Sequence, residues 1–132
     1  MYHSMWTVFC FVLRLTLCGV IPCSETDGIA SAVDAVGRAG LVIAVVGDSD
    51  STAGENADTD DLDLNGAQLP LLWAITQATA TSHIPVIGVV ISAQPKTFGA
   101  SLWSPAGLGK PNALVGELAA ILSAWRPGEE GE

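Results

Sequence analysis

The residues with chemical capacity are concentrated between Val46 and Leu69, in the stretch Val-Gly-Asp-Ser-Asp-Ser-Thr-Ala-Gly-Glu-Asn-Ala-Asp-Thr-Asp-Asp-Leu-Asp-Leu-Asn-Gly-Ala-Gln-Leu. It holds seven carboxylates (Asp48, Asp50, Glu55, Asp58, Asp60, Asp61 and Asp63) and no basic residue. Like charges at this density repel one another unless a partner or backbone donors hold them. Such a loop suits cation binding or acid–base chemistry. Its spacing argues against calcium: a loop begun at Asp48 requires Gly at its sixth position and Glu at its twelfth, where the chain has Ala53 and Thr59. A serine nucleophile fits no better. Val46-Gly-Asp-Ser has the look of a strand end, but no Gly-x-Ser-x-Gly elbow surrounds Ser49 or Ser51, and the only histidines are His3 and His83. His83 precedes Ile84-Pro85 and reads as a solvated turn residue.

The flanking sequence supplies elements able to hold this loop. Asp27 to Ala39 spaces Ile29, Val33 and Val36 as one face of a short helix, with Thr26 or Asp27 as its cap and Gly40 as its stop. Leu41 to Val46 is an unbroken apolar, largely β-branched run, the pattern of a strand buried on both faces. After the loop, Ala67 to Ala80 predicts a second helix, capped near Asn65 or Gly66 and directing Leu69, Leu72, Trp73 and Ile75 inward. Pro70 falls in its first turn, where a missing N–H costs no intrahelical bond. Val86 to Ile91 repeats the buried-strand pattern. Residues 96–110 form a Gly, Ser and Pro-rich loop, residues 112–118 a short helical turn, and Ala119 to Trp125 a third strand. Helices alternating with strands imply right-handed crossovers and a parallel α/β layer, with ligands beyond the strand carboxyl ends. The acidic loop lies at that edge.

Composition narrows the function classes. The 132 residues are 49% hydrophobic and 14% charged, which is globular material sufficient for one domain. A net charge of −9 with five basic residues argues against nucleic acid, whose affinity rests on cations neutralising phosphates. Cys10, Cys18 and Cys23 match no zinc or redox spacing. Met5 to Ile21 is apolar but interrupted by Arg14, too short for a membrane span. It is either a signal-peptide core or a spurious start, so localisation stays open, with secretion as one option. Trp73 and Trp125 are placed by their elements where core packing is the usual role, whereas Trp103 sits in the Gly-rich loop.

Four ordered blocks carry a resemblance: Val45-Val-Gly-Asp-Ser followed by Ala53-Gly-Glu-Asn-Ala-Asp58; Asp61-Leu-Asp-Leu-Asn-Gly-Ala-Gln-Leu69; Ile91-Ser-Ala-Gln-Pro-Lys-Thr-Phe98; and Ala124-Trp-Arg-Pro-Gly-Glu-Glu-Gly131. Residues 23–131 resemble the C-terminal α/β sandwich domain of glycoside hydrolase family 3, the β-glucosidase and β-xylosidase family. The resemblance implies an active site shared with an N-terminal TIM-like barrel, which supplies an Asp nucleophile. The sandwich domain often supplies the acid/base Glu. Glu55 lies where many members carry that glutamate and is the catalytic candidate; Asp58 and Trp103 are candidate substrate contacts. Thr59 stands where relatives usually have Arg, Pro70 where Asp is common and Gln94 where Arg is frequent.

The expectation is therefore an α/β fold, an incomplete and mostly parallel sheet with flanking helices. Residues 1–25 form an apolar leader and residues 26–132 a partial family 3 C-terminal domain. No cofactor or metal is expected. The expected partners are a β-linked oligosaccharide or glycoside and a TIM-like barrel, in trans or from a longer gene product. The isolated chain is expected to be inactive, and the alternative is a non-catalytic secreted glycan-binding module or a degenerate fragment.

Overall fold

The computed structural model describes residues 11–13, 26–48, 52, 61–99 and 114–125. In chain order the elements are β1 (Phe11–Leu13), α1 (Asp27–Val36), β2 (Val42–Gly47), α2 (Gln68–Thr79), β3 (Val86–Ser92), a short 3-10 turn (Val115–Glu117) and β4 (Ala120–Trp125). The strands form one sheet in the order β1-β2-β3-β4. Every pairing is parallel, running from Phe11↔Val42 through Val42↔Val86 to Ile87↔Ala120. The α/β class holds. The three strands expected from the apolar runs are β2, β3 and β4; β1 is a fourth, drawn from the N-terminal apolar segment.

Both helices end where backbone chemistry requires. Gly37 closes α1, and its N–H together with those of Arg38 and Ala39 bonds back to Val33, Ala35 and Val36. The helix thus stops short of Ala39, because bonds to the third residue back tighten its last turn. In α2, Pro70 occupies the third position, within the first turn, as its missing N–H demands. Thr76 and Thr79 are buried on this helix, and their hydroxyls donate to the carbonyls of Trp73 and Ile75, which satisfies them without leaving the helix. His83, at φ 53°, turns the chain toward β3 and is exposed.

A parallel sheet built in sequential order with right-handed crossovers places its connecting helices on one side. The core follows that rule. Val42, from β2, and Val86, from β3, pack with Ala32 and Val36 of α1 and with Leu71 and Ile75 of α2. Toward the carboxyl end, Ala44, Val46 and Val90 pack with Leu69, Leu72, Phe98 and Leu114. The alternate residues face away: Val45, Ile91 and Leu122 are exposed, and no described helix covers them. This corrects the expectation of strands buried on both faces. A continuous apolar run is compatible with two covered faces, but topology decides how many are covered. Trp125 is corrected likewise: it is 59% exposed rather than in the core.

At the carboxyl end of β2, Gly47 adopts φ 149°, and an added Cβ would lie 1.8 Å from the Ile91 carbonyl oxygen. Only glycine permits β2 and β3 to converge here. Gly47→Ala should therefore destabilise the chain by about 3 kcal/mol or more, lowering Tm by roughly 10 °C, whereas Gly116→Ala should stay within about 0.5 kcal/mol. A methyl group added at Gly116 would meet nothing within 4 Å, which makes that position the control. Thermal unfolding followed by circular dichroism distinguishes the two, and equal shifts would refute the close-approach explanation.

Candidate functional site

The carboxyl ends of β2 and β3 meet at a buried polar cluster. Asp48 leaves β2 with its N–H bonded to the Ile91 carbonyl at 3.0 Å. One of its carboxylate oxygens, Oδ1, lies 2.7 Å from Lys96 Nζ, and the two side chains are 0% and 1% exposed. Their approach is that of an ion pair, although neither atom meets the angles of a hydrogen bond. The other oxygen, Oδ2, lies within reach of the Ser92 hydroxyl. That hydroxyl also reaches the Gln94 carbonyl at 2.7 Å and accepts from the Gln94 N–H at 3.0 Å. Its single proton is thus contested by two acceptors.

The far end of the acidic loop is held by the same segment. Asp63 is buried, and its Oδ1 accepts from the Gly99 N–H at 2.9 Å and from the Thr97 hydroxyl. Thr97 also donates its N–H to the Leu62 carbonyl at 2.9 Å, and Asp63 and Thr97 form a parallel bridge. Just before, Asp61 Oδ1 accepts from the Asp63 N–H at 2.8 Å, closing a local turn. Residues 92–99 therefore grip the loop at its start, through Asp48, and at its finish, through Asp63.

Gln68 completes the frame. Its side-chain amide accepts from the Gly47 N–H at 2.7 Å and donates to the carbonyls of Gly47 at 2.9 Å and Asn65 at 3.0 Å. The first residue of α2 is thereby stitched to the last residue of β2. Asn65 Nδ2, beside it, is buried without a hydrogen-bond partner.

These contacts reassign several of the carboxylates. Asp48, Asp61 and Asp63 are anchors, each making a specific intramolecular contact. The loop's lack of its own cation is met by Lys96, which arrives from beyond β3. With an ammonium on Asp48, that residue is a poor calcium ligand, and the described residues contain no group of three His, Cys, Asp or Glu able to hold a metal. Glu55, Asp58 and Trp103 lie outside the described residues. The contributions of Lys96, Ser92, Thr97 and Gln68 were not legible as roles; the one available signal was a lysine among five basic residues placed shortly after a strand. Among the described residues no helix is long and apolar enough to cross a membrane.

Comparison with known proteins places this geometry in a family. The family model described as the glycosyl hydrolase family 3 C-terminal domain matches residues 14–132. A β-xylosidase from Formosa agariphila is 31% identical over 102 residues, covering 77% of this chain and 12% of that protein. Among solved structures, a β-glucosidase involved in saponin metabolism from intestinal bacteria superposes with a TM-score of 0.60 at 27% identity, over 82% of this chain and 14% of that one. The chain thus spans a small fraction of the length of either relative.

The grip on the loop has measurable consequences. Lys96→Met leaves the Asp48 carboxylate buried and uncompensated, and should cost about 3–5 kcal/mol in chemical denaturation. Adding Asp48→Asn should reveal a pairwise coupling of about 1 kcal/mol or more; additive losses would show that the pair does not interact. Asp63→Ala orphans the Gly99 amide, whose hydrogen exchange should accelerate about tenfold or more if the lost bond contributes about 1.5 kcal/mol. Unchanged exchange at Gly99 would contradict the anchoring role.

Proposed function

Since the chain belongs to the family of glycosyl hydrolase family 3 C-terminal domains, we propose that it is the sugar-facing α/β part of a retaining β-glycosidase that is hydrolytically silent without a barrel domain. The substrates under this reading are β-linked glucosides or xylosides, cleaved at the non-reducing end. The family match over residues 14–132 carries the proposal. The names of the two relatives, a β-xylosidase and a β-glucosidase, support its substrate class.

Retaining hydrolysis needs two carboxyl groups about 5–5.5 Å apart across one glycosidic bond, one attacking the anomeric carbon and the other protonating the leaving oxygen. Glu55 is the proposed acid/base. An acid in this role must keep its proton near neutral pH, a state that neighbouring negative charge favours. The carboxylates flanking Glu55 in sequence suit that requirement, while Lys96 is committed to Asp48 at the base of the loop. The nucleophilic Asp would come from a TIM-like barrel, in trans or from a longer gene product. Asp58 and Trp103 are proposed to contact the sugar.

Fixing both loop ends serves this chemistry. A catalytic acid tethered at one end would sample many orientations, whereas anchors on both sides of Glu55 in the chain, at Asp48 and Asp63, lower the entropic cost of presenting it to substrate.

Mixing the chain with a separately produced barrel domain tests the proposal through release of p-nitrophenol from β-glucosides and β-xylosides. Hydrolysis should be absent for the chain alone and appear on mixing. Glu55→Gln should then lower kcat by about 100-fold or more with little change in KM. A folded, associated pair without activity would refute the catalytic reading. Glycoside binding that persists without hydrolysis would favour a non-catalytic glycan-binding module.

A further inference from the structure

Asn65 and Gly66 lie between the buried Asp63 and the start of α2, and the glycosidase chemistry does not use them. Both residues are partly exposed, yet Asn65 Nδ2 is buried and makes no hydrogen bond. Gly66 adopts φ 64°, in the left-handed region that favours glycine. The turn into α2 thus selects the residue that shields its own nitrogen least. No described residue accepts a hydrogen bond from the Gly66 N–H. A side-chain amide therefore stands next to a peptide nitrogen that neither a side chain nor a bond protects.

We propose that Asn65-Gly66 is a self-modification site, at which the chain cyclises, loses ammonia and reopens in part as an isoaspartyl residue, and that this product loosens the tie between α2 and β2. The Gly66 nitrogen attacks Asn65 Cγ, the new N–Cγ bond closes a five-membered succinimide, and the Cγ–Nδ2 bond breaks. Nδ2 leaves as ammonia, with the proton that Gly66 gives up. Water then adds to one of the ring carbonyls. Opening at Cγ gives aspartate on the ordinary backbone. Opening at the main-chain carbonyl gives isoaspartate, whose backbone runs through Cβ and Cγ and whose free carboxylate is the former main-chain carbonyl. No electrons are exchanged, and water is the sole co-reactant.

The surroundings of the pair favour attack. Gln68 Nε2 donates to the Asn65 main-chain carbonyl at 3.0 Å. That bond draws charge out of the Asn65–Gly66 peptide group and makes its N–H more acidic, and the deprotonated nitrogen is the attacking species. α2 follows directly, with no side-chain cap and no acidic residue in its first turn, so neither neutralises the positive end of its dipole. That end stabilises the negative charge developing during attack. The preceding carboxylates are engaged elsewhere: Asp61 and Asp63 accept backbone N–H groups, and Asp48 faces Lys96.

The product reaches the frame of the site because Gln68 is shared. Its amide bonds at once to the Asn65 carbonyl and to both backbone groups of Gly47, the last residue of β2. Isoaspartate lengthens the backbone by one methylene just before α2 and turns the Asn65 acceptor into a carboxylate, which displaces Gln68 from Gly47. Aspartate leaves the backbone path, and the tie, intact.

Ageing the purified full chain in mildly alkaline buffer tests this without any glycoside, so the result does not depend on the glycosidase reading. Peptide mapping should show the amide-to-acid mass gain accumulating at Asn65 at least about tenfold faster than at Asn56 and Asn112, which both precede alanine. An isoaspartyl methyltransferase should label the aged chain at residue 65, and in the isoaspartyl fraction the Gly47 amide should exchange about tenfold faster or more. Gly66→Ala should suppress both changes. Asn65→Gln, whose longer side chain closes a six-membered ring slowly, serves if that variant does not fold, and its Gly47 exchange should stay constant with age. Equal conversion at the asparagines, conversion of Asn65 only after unfolding in urea, isoaspartate with unaltered exchange at Gly47, or age-dependent exchange in the variants would each overturn the proposal.

Discussion

The buried pair of Asp48 and Lys96 is the constraint around which the carboxyl edge of this sheet is organised. Two opposite charges removed from water are tolerated only when held together, because either alone would bear a desolvation penalty of several kcal/mol. Their separation of 2.7 Å therefore dictates the path of two segments at once. It draws the chain after β3 back across the end of β2. Once there, the same segment offers the Thr97 hydroxyl and the Gly99 N–H to Asp63, so the second anchor follows from the first. The pair can form only because Gly47 lets β2 and β3 approach, and because Gln68 holds the end of β2 against the start of α2.

The sheet has two unlike faces, and this too follows from a simple rule. Sequential strand order with crossovers of one hand puts both helices on one side, where they share a core running from Ala32 to Leu114. The apolar residues facing the other way are of the same types and belong to the same strands. Burial here is thus a property of position in the layer rather than of residue type. β4 illustrates the limit: it has strand-forming side chains on both faces, but the described helices pack against β2 and β3, leaving its helix-side residues Ile121 and Trp125 exposed.

Placing the acidic loop at the carboxyl edge agrees with how parallel sheets bind ligands, since there the chain leaves each strand and side chains can converge. Family membership adds that the relevant ligands of relatives are sugars, as the β-xylosidase and β-glucosidase names indicate. What the described residues contribute physically is the pair of anchors, Asp48 and Asp63, on either side of that stretch of sequence. Residues 92–99 reach two of its carboxylates, Asp48 and Asp63, and commit them to intramolecular contacts.

The class of fold and the family are legible in the amino-acid sequence itself, because both are written in local patterns. Apolar runs of strand length, helical spacing of Ile29 and Val36, a proline admissible only in a first turn, and four ordered motif blocks can all be read within short windows. Gly47 and Gln68 were visible within those blocks, but their bond was not. Folding in three dimensions was needed to establish that Lys96 neutralises Asp48, that Asp63 is an anchor, that both described helices lie on one face of the sheet, and that Trp125 is exposed. Each of these joins residues far apart in sequence, or depends on which layer lies above a strand. A local pattern records a residue's preference for burial or charge; the partner that satisfies it is set by chain topology and by the close approach of strand ends.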